Sequence, residues 1–263
     1  MKVGVSCIIT PGSWTTEETL TKAKGFGYDT IELVCRDKGP ITLDTPESEL
    51  KGYAAKAQEI GIELSSLCLS VTSCDIMTND AAAREANIQT IVRGLKVAKA
   101  MGIGACLVVP GRIGPDCYYD DAYYNALTAC RKLGPLAAEV GVAVALEYVW
   151  NWFLVSPLEY KRFLDEVDNP YIGFFYDTGN MVIQGYPEMW ARILGRHIKR
   201  VHLKDFRRQG AQWPPLLEGD VDFAAVMREL RATGFDGALL SEVDSGIASF
   251  EETANAIRKI IQM

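Results

Sequence analysis

The sequence predicts an α/β fold, a (β/α)8 (TIM) barrel in which residues 1–263 form a single domain. Short apolar, β-branched segments alternate with longer segments of helical periodicity along the whole chain, and there are eight of each. The length is close to the roughly 250 residues that one such barrel commonly uses. No Gly-x-Gly-x-x-Gly follows a predicted strand, which disfavours the competing doubly wound open sheet.

The predicted strands are short, and several are almost continuously apolar. Runs such as Ala-Cys-Leu-Val-Val and Val-Ala-Val-Ala-Leu are typical of parallel strands that are covered on both faces. The eight segments are residues 3–7, 30–34, 63–69, 106–109, 142–147, 172–176, 200–203 and 238–242.

Helix start and stop signals lie between these strands. Thr15 and Glu18 have the spacing of a capping box, and the Ser-Pro and Tyr-Pro pairs at 156–157 and 186–187 indicate helices that begin at proline. Glycines that can close a helix in the left-handed conformation follow five segments, at Gly27, Gly61, Gly102, Gly141 and Gly234. The amphipathic C-terminal segment completes the ring of predicted helices.

Composition excludes several classes of protein. The formal net charge of −7 argues against a broad nucleic-acid-binding surface, which needs an excess of Lys and Arg. Seven scattered cysteines without a Cys-x-x-Cys pair predict free thiols rather than disulfides or a thiolate metal site. No apolar run is long enough to span a membrane, and the N-terminus lacks a secretory signal pattern. We therefore expect a cytoplasmic protein with a small-molecule partner, no membrane partner and no nucleic-acid partner.

Charged or metal-binding side chains lie at or near the ends of five of the predicted strands. They are Glu32, Glu147, Asp177, His202 and Glu242. The carboxyl ends of barrel strands surround one mouth, so the last four can converge on one point. Two glutamates, an aspartate and a histidine crowded together would repel one another without a cation. Mixed oxygen and nitrogen ligands suit one divalent ion, with Mn²⁺ expected first and Mg²⁺, Co²⁺ or Zn²⁺ as alternatives.

These residues resemble the metal set of the xylose-isomerase-like sugar isomerases and epimerases. The resemblance is carried by Glu147, by Asp177 within Tyr-Asp-Thr-Gly-Asn, by His202 within Val-His-Leu-Lys-Asp and by Glu242 within Leu-Leu-Ser-Glu-Val. The Leu-Glu-Gly-Asp-Val-Asp-Phe segment at 217–223 is similar to that of the ketose and ketose-phosphate 3-epimerases of this superfamily.

The resemblance implies a reaction and roles for two residues. The ion would hold the carbonyl and an adjacent hydroxyl of a ketose, and either Glu147 or Glu242 would remove the C3 proton. The other glutamate would return a proton to the opposite face of the cis-enediolate. We also expect a homo-oligomer, either a dimer or a tetramer.

Two departures from the family pattern bear on the substrate. Free-ketose epimerases carry a glutamate and a histidine at the positions of Phe153 and Asn180, which favours a phosphorylated sugar here. Arg208 lies where the family often has a substrate-contacting arginine. It is predicted to contact substrate unless it belongs to a solvated loop.

Three further residues complete the predicted substrate site. Asn180, within the Asp-x-Gly-Asn segment, is assigned to substrate binding. Trp150 is predicted to cover the sugar ring together with Trp14, unless these aromatic residues only pack against their neighbours. Glu32 is predicted either to contact substrate or to support a ligand from behind, unless it begins a solvated loop.

Other functions remain open on the same scaffold. An inosose dehydratase or a hydroxypyruvate isomerase would use the same ion and glutamates. A nuclease would need a histidine-rich multi-zinc cluster, and the chain has two histidines. A hydride-shift aldose isomerase would need two ions and a catalytic Lys or His. A non-catalytic barrel would not need all four ligand-type residues.

Overall fold

A computed structural model describes residues 1–183 and 185–263, and its eight strands close into one barrel in chain order. All neighbouring strands are parallel, and β1 pairs with β8 to close the ring. The strands are β1 (Lys2–Ser6), β2 (Thr30–Arg36), β3 (Glu63–Ser70), β4 (Ala105–Val108), β5 (Ala143–Glu147), β6 (Ile172–Asp177), β7 (Ile198–Leu203) and β8 (Ala238–Ser241). The predicted (β/α)8 barrel is confirmed.

Helices connect the strands around the outside of the barrel. They are α1 (Thr16–Gly25), α2 (Glu47–Ile60), α3 (Ala81–Ala100), α4 (Tyr119–Val140), α5 (Pro157–Val167), α6 (Thr178–Val182), α7 (Pro187–Leu194), α8 (Phe223–Ala232) and α9 (Phe250–Gln262). The capping box of Thr15 and Glu18 at the start of α1 is confirmed. All five glycines predicted to close helices have positive φ. The five-residue helix α6 was not predicted from the sequence.

Apolar side chains form two layers, one inside the barrel and one between the barrel and its helices. The inner layer contains Val34, Cys68, Leu107, Ala145, Phe175, Ala238 and Leu240. Alternate residues of a strand face the same side. Residues two positions beyond this layer therefore also face inward, at the carboxyl end of the barrel. Glu147, Asp177 and Glu242 each follow a member of the layer in this way.

Two observations concern the cysteines and the helices. All seven cysteines are unpaired. None of the helices that the structure describes is long and apolar enough to cross a membrane.

Candidate metal centre and active site

His202 lies at the centre of a group of carboxylates at the barrel mouth. Its Nδ1 atom is 3.5 Å from Glu147 Oε1, 3.9 Å from Asp177 Oδ2 and 3.7 Å from Glu242 Oε1. Ligand atoms of Glu147, Asp177 and His202 all lie within 4.8 Å of one another. The structure thus brings together the four side chains predicted to converge, in the order of their strands β5 to β8.

Two atoms of this group have no hydrogen bond although they are buried. They are His202 Nδ1, and Asp177 Oδ2, which has an ion-pair contact with the Lys204 ammonium. A buried polar atom without a partner is costly, so native proteins supply one from protein, water or an ion. Both atoms face the same point among the carboxylates. This geometry fits a divalent cation bound by Glu147, Asp177, His202 and Glu242.

Lys204 is a residue of the site whose role the sequence analysis did not assign. Its Nζ lies 2.9 Å from Asp177 Oδ2 and also contacts Glu242 Oε2. Although burial opposes it, the charges of Asp177 and Glu242 raise the pKa of Lys204. One ammonium group supplies a single positive charge to several carboxylates, which leaves the cluster negative. Its position two residues after His202, on the same face of the chain, is the signal that could have revealed it.

Glu32 lies beneath His202 and is fully buried. Its Oε1 atom is 2.9 Å from His202 Nε2 and accepts a hydrogen bond from Ser6 Oγ. Its Oε2 atom accepts a hydrogen bond from Ser66 Oγ. Both carboxylate oxygens of Glu32 are thus engaged by Ser6, Ser66 and His202. The structure therefore favours a role for Glu32 in orienting His202. Supporting a ligand from behind was one of the roles predicted for Glu32, and its contact with substrate stays a prediction.

The Tyr-Asp-Thr-Gly-Asn segment connects β6 to α6, and each residue from Asp177 onward has a distinct contact. Asp177 Oδ1 caps α6 by accepting from Asn180 N at 2.8 Å, which leaves Oδ2 for the cluster. Thr178 Oγ1 donates to Lys204 O and accepts from Lys204 N. A Cβ at Gly179 would lie 2.7 Å from Lys204 Cβ, so only glycine permits this approach. The segment thereby fixes Asp177 and Lys204 relative to each other.

Glu147 combines deep burial with a shifted ionisation. Burial raises its pKa to about 7, and the adjacent His202 opposes that rise. Asn180 Nδ2 lies 3.4 Å from Glu147 Oε1 and donates to Tyr148 O at 3.0 Å. Asn180 is itself buried. It therefore supports Glu147 in this structure, and its predicted contact with substrate stays a prediction.

Aromatic side chains form a wall beside the cluster. Trp150 stacks on Trp213 with ring centroids 5.2 Å apart, and Phe206 packs against both. Trp150 Nε1 donates to Asn180 O, which holds the indole in place. Trp14 does not join this wall, because it packs with aromatic residues of α1 and α9 instead. Covering of the substrate by Trp150 stays a prediction, whereas the pairing with Trp14 was wrong.

Arg208 lies at the exposed rim, and its guanidinium is engaged by the chain. Its Nε donates to Val182 O, and a second nitrogen donates to Gly185 O. The guanidinium carbon lies 5.2 Å from the centre of the Tyr186 ring. These contacts anchor the loop after β7 to the loop after α6. The substrate contact predicted for Arg208 is untested by this geometry.

The chain belongs to the xylose isomerase-like TIM barrel family, whose sequence model matches residues 20–260. It is 25% identical over 245 residues to the L-ribulose-5-phosphate 3-epimerase UlaE of Salmonella heidelberg. That similarity covers 89% of this chain and 84% of the relative.

Solved structures of ketose epimerases share the fold. A D-psicose 3-epimerase crystallised in the presence of D-fructose superposes with a TM-score of 0.81 at 17% identity, and all of both chains is covered. An L-ribulose 3-epimerase gives a TM-score of 0.82 at 18% identity, covering 99% of this chain and 94% of that one.

Proposed function

We propose that the protein is a metal-dependent 3-epimerase of a ketose or ketose phosphate. An isomerase-class activity follows from its family and its epimerase relatives. The observation that carries the finer proposal is the placement of two glutamates around one imidazole. Glu147 and Glu242 lie 3.5 Å and 3.7 Å from His202 Nδ1, beside the buried Asp177. Inversion at a carbon needs an acid or base on each face.

The cation would be held by Glu147, Asp177, His202 and Glu242, with Mn²⁺ as the first ion to test. When bound, a divalent cation supplies Lewis-acid stabilisation of the negative charge that develops on the substrate oxygens. The buried His202 Nδ1, which has no hydrogen-bond partner, supports this assignment, as does Asp177 Oδ2, which makes no hydrogen bond and is ion-paired with Lys204. Glu32, fixed by two serines, holds the imidazole so that Nδ1 faces the cluster.

Glu147 and Glu242 carry the proton transfers. Burial raises the pKa of the Glu147 carboxyl group, and a cation bound beside it would oppose that rise. Glu242 is held by Lys204 from the β7 side. One glutamate takes the C3 proton as a carboxylate, and the other delivers a proton to the opposite face as a carboxylic acid.

A phosphorylated ketose is the substrate we favour. The curated relatives are L-ribulose-5-phosphate 3-epimerases. Phe153 is buried and packs against Tyr119 and Phe163, so it offers the substrate no polar group. The stacked pair of Trp150 and Trp213 provides an apolar surface beside the cluster on which a sugar ring or chain can lie.

Exchange with solvent deuterium tests the proposal. Ketopentoses, ketohexoses and their phosphates would be incubated with the protein and Mn²⁺ in deuterated water and followed by proton NMR. We expect deuterium at C3 together with the inverted epimer. Loss of a hydroxyl group would instead identify an inosose-dehydratase type of reaction. A carbonyl moved to a neighbouring carbon would identify an isomerase of the hydroxypyruvate type.

A further inference from the structure

A cavity of about 410 Å³ opens at the carboxyl end of the barrel between the loops that follow β1 and β2. Cys7 and Val34 form its inner end, and Trp14 and Thr16 form part of its outer side. Two cationic residues, Arg36 and Lys38, also line it. None of the described residues that line it is acidic. The chain as a whole has a net charge of −7, so a cavity lined by two cations has the opposite sign of charge from the protein overall.

The two cations of the cavity are available to a ligand. Within the described parts of the chain, neither the Arg36 nor the Lys38 side chain makes a hydrogen bond or an ion pair, and only the Arg36 main chain bonds, to Ile41 O. The carboxylate between them, Asp37, accepts from Thr72 N instead. Arg208, in the loop after β7, differs from these two residues, because its side-chain nitrogens donate hydrogen bonds to main-chain carbonyls.

The cavity and the carboxylate cluster share strand β2. Glu32, Val34 and Arg36 alternate along β2, so all three face the inside of the barrel. Glu32 contacts His202, whereas Val34 and Arg36 both line the cavity. The lining of the cavity therefore begins one inward-facing residue beyond Glu32.

The positive charge of Arg36 acts on the thiols of Cys7 and Cys68. Burial and the charge of Glu32 raise the pKa of the Cys7 and Cys68 thiols, and the Arg36 guanidinium opposes that rise. Cys68 belongs to the inner layer of the barrel. The first residue of helix α1, Thr16, also lines the cavity, where the partial positive charge of a helix start adds to that of Arg36.

We propose that this cavity binds the phosphate group of a phosphorylated ketose, with Arg36 and Lys38 as its cationic ligands. The proposal rests on the epimerase function proposed above and assigns its substrate class. An arginine fork matches two phosphate oxygens, and a lysine adds a mobile point charge. A ketose whose C3 lies at the glutamates would extend its phosphate toward β1 and β2.

Inorganic phosphate provides a probe that is independent of catalysis. Its binding to the wild-type protein would be measured by titration calorimetry and compared with that of R36Q and K38Q. We expect R36Q to weaken phosphate binding about tenfold to a hundredfold, as for loss of a charged hydrogen bond. R228Q removes the same charge from the outer helix α8, where Arg228 pairs with Glu229, and should bind like wild type. Equal affinity in R36Q, K38Q and wild type would overturn the proposal.

Kinetics on matched sugars tests the same site during turnover. R36Q and K38Q should raise KM about tenfold or more for a ketose phosphate, with a similar KM for the free ketose. An equal change for both sugars would overturn the proposal. If wild type exchanges C3 of neither sugar, the epimerase function fails, and phosphate titration alone then decides on the cavity. Circular dichroism and melting of both variants would establish that they fold.

Discussion

Glu32 accepts a hydrogen bond from His202 Nε2 at 2.9 Å, and this contact determines which nitrogen of the imidazole faces the barrel mouth. A carboxylate can only accept, so Nε2 carries a proton, and Nδ1 is the nitrogen whose lone pair a cation at the mouth would use. The pKa of Glu32 is lowered by His202 although burial opposes the shift, which keeps the carboxylate ionised. Such an outer carboxylate typically tunes the affinity of a histidine for metal.

Removing the charge of Glu32 should therefore weaken metal binding. We expect E32Q to reduce Mn²⁺ affinity about tenfold to a hundredfold, measured by calorimetry or by electron paramagnetic resonance of free Mn²⁺. S66A removes one of the two serine hydrogen bonds to Glu32 but keeps its charge, and should have a smaller effect. Wild-type affinity in E32Q would show that the contact with His202 does not orient a ligand.

Replacing either proposed acid–base residue should abolish epimerisation. E147Q and E242Q are each expected to slow deuterium incorporation at C3 by about 10²–10⁴-fold, the usual contribution of one acid–base group. Mn²⁺ affinity of both variants would be measured alongside, so that loss of the ion can be distinguished from loss of proton transfer. Near-normal exchange by either variant with Mn²⁺ bound would contradict the assignment.

Gly179 should be intolerant of even one added methyl group. Its Cβ would lie 2.7 Å from Lys204 Cβ and 2.8 Å from the Trp213 ring, so G179A should cost about 1–3 kcal/mol. Gly52, within helix α2, has no atom within 4 Å of the same position. G52A should stabilise the protein by up to about 1 kcal/mol. Urea denaturation of G179A and G52A measures both effects. Equal stability of the two variants would show that Gly179 does not closely approach Lys204 and Trp213.

Asp165 should contribute to the free energy of unfolding by an amount that depends on pH. Hydrogen bonds with Lys161, and then with Arg196, lower its pKa to about 2 from 3.8, although partial burial opposes the shift. A depressed pKa stabilises the native state above pH 3.8, and this contribution is lost as the pH falls through about 2. For so exposed a group, D165N should cost at most about 1 kcal/mol at pH 7.

Denaturation of wild type and D165N between pH 7 and pH 2 measures this contribution. The difference between them should shrink steadily as the pH falls below 3.8, and most of it should be gone at pH 2. D116N is a suitable control, because the Asp116 side chain makes no ion pair with any residue that the structure describes. A difference at pH 2 as large as that at pH 7 would mean that the ion pairs of Asp165 are not its source.

The sequence predicted the barrel and the convergence of its ligand-type residues because both follow from position along a strand. Alternation places Glu147, Asp177 and Glu242 on the inner face once the strand is recognised. The position of Lys204 and the burial of Glu32 depend on distances between strands that are far apart in the chain. The spacing of Lys204 from His202 places it on the same face of the chain, but no local pattern encodes its contacts or the burial of Glu32. Trp14 was misplaced for the same reason, since its neighbours Phe26 and Phe250 come from opposite ends of the sequence.

The proposed function uses two different parts of the barrel mouth. Ligand-type side chains come from β5 to β8, whereas the cationic cavity is built by the loops after β1 and β2. Insertions or exchanges in those two loops can therefore alter which molecules are admitted while the reacting groups stay in place. If one half of the mouth carries the reaction and the other binds the rest of the substrate, related chains could change their substrates while keeping the same reaction.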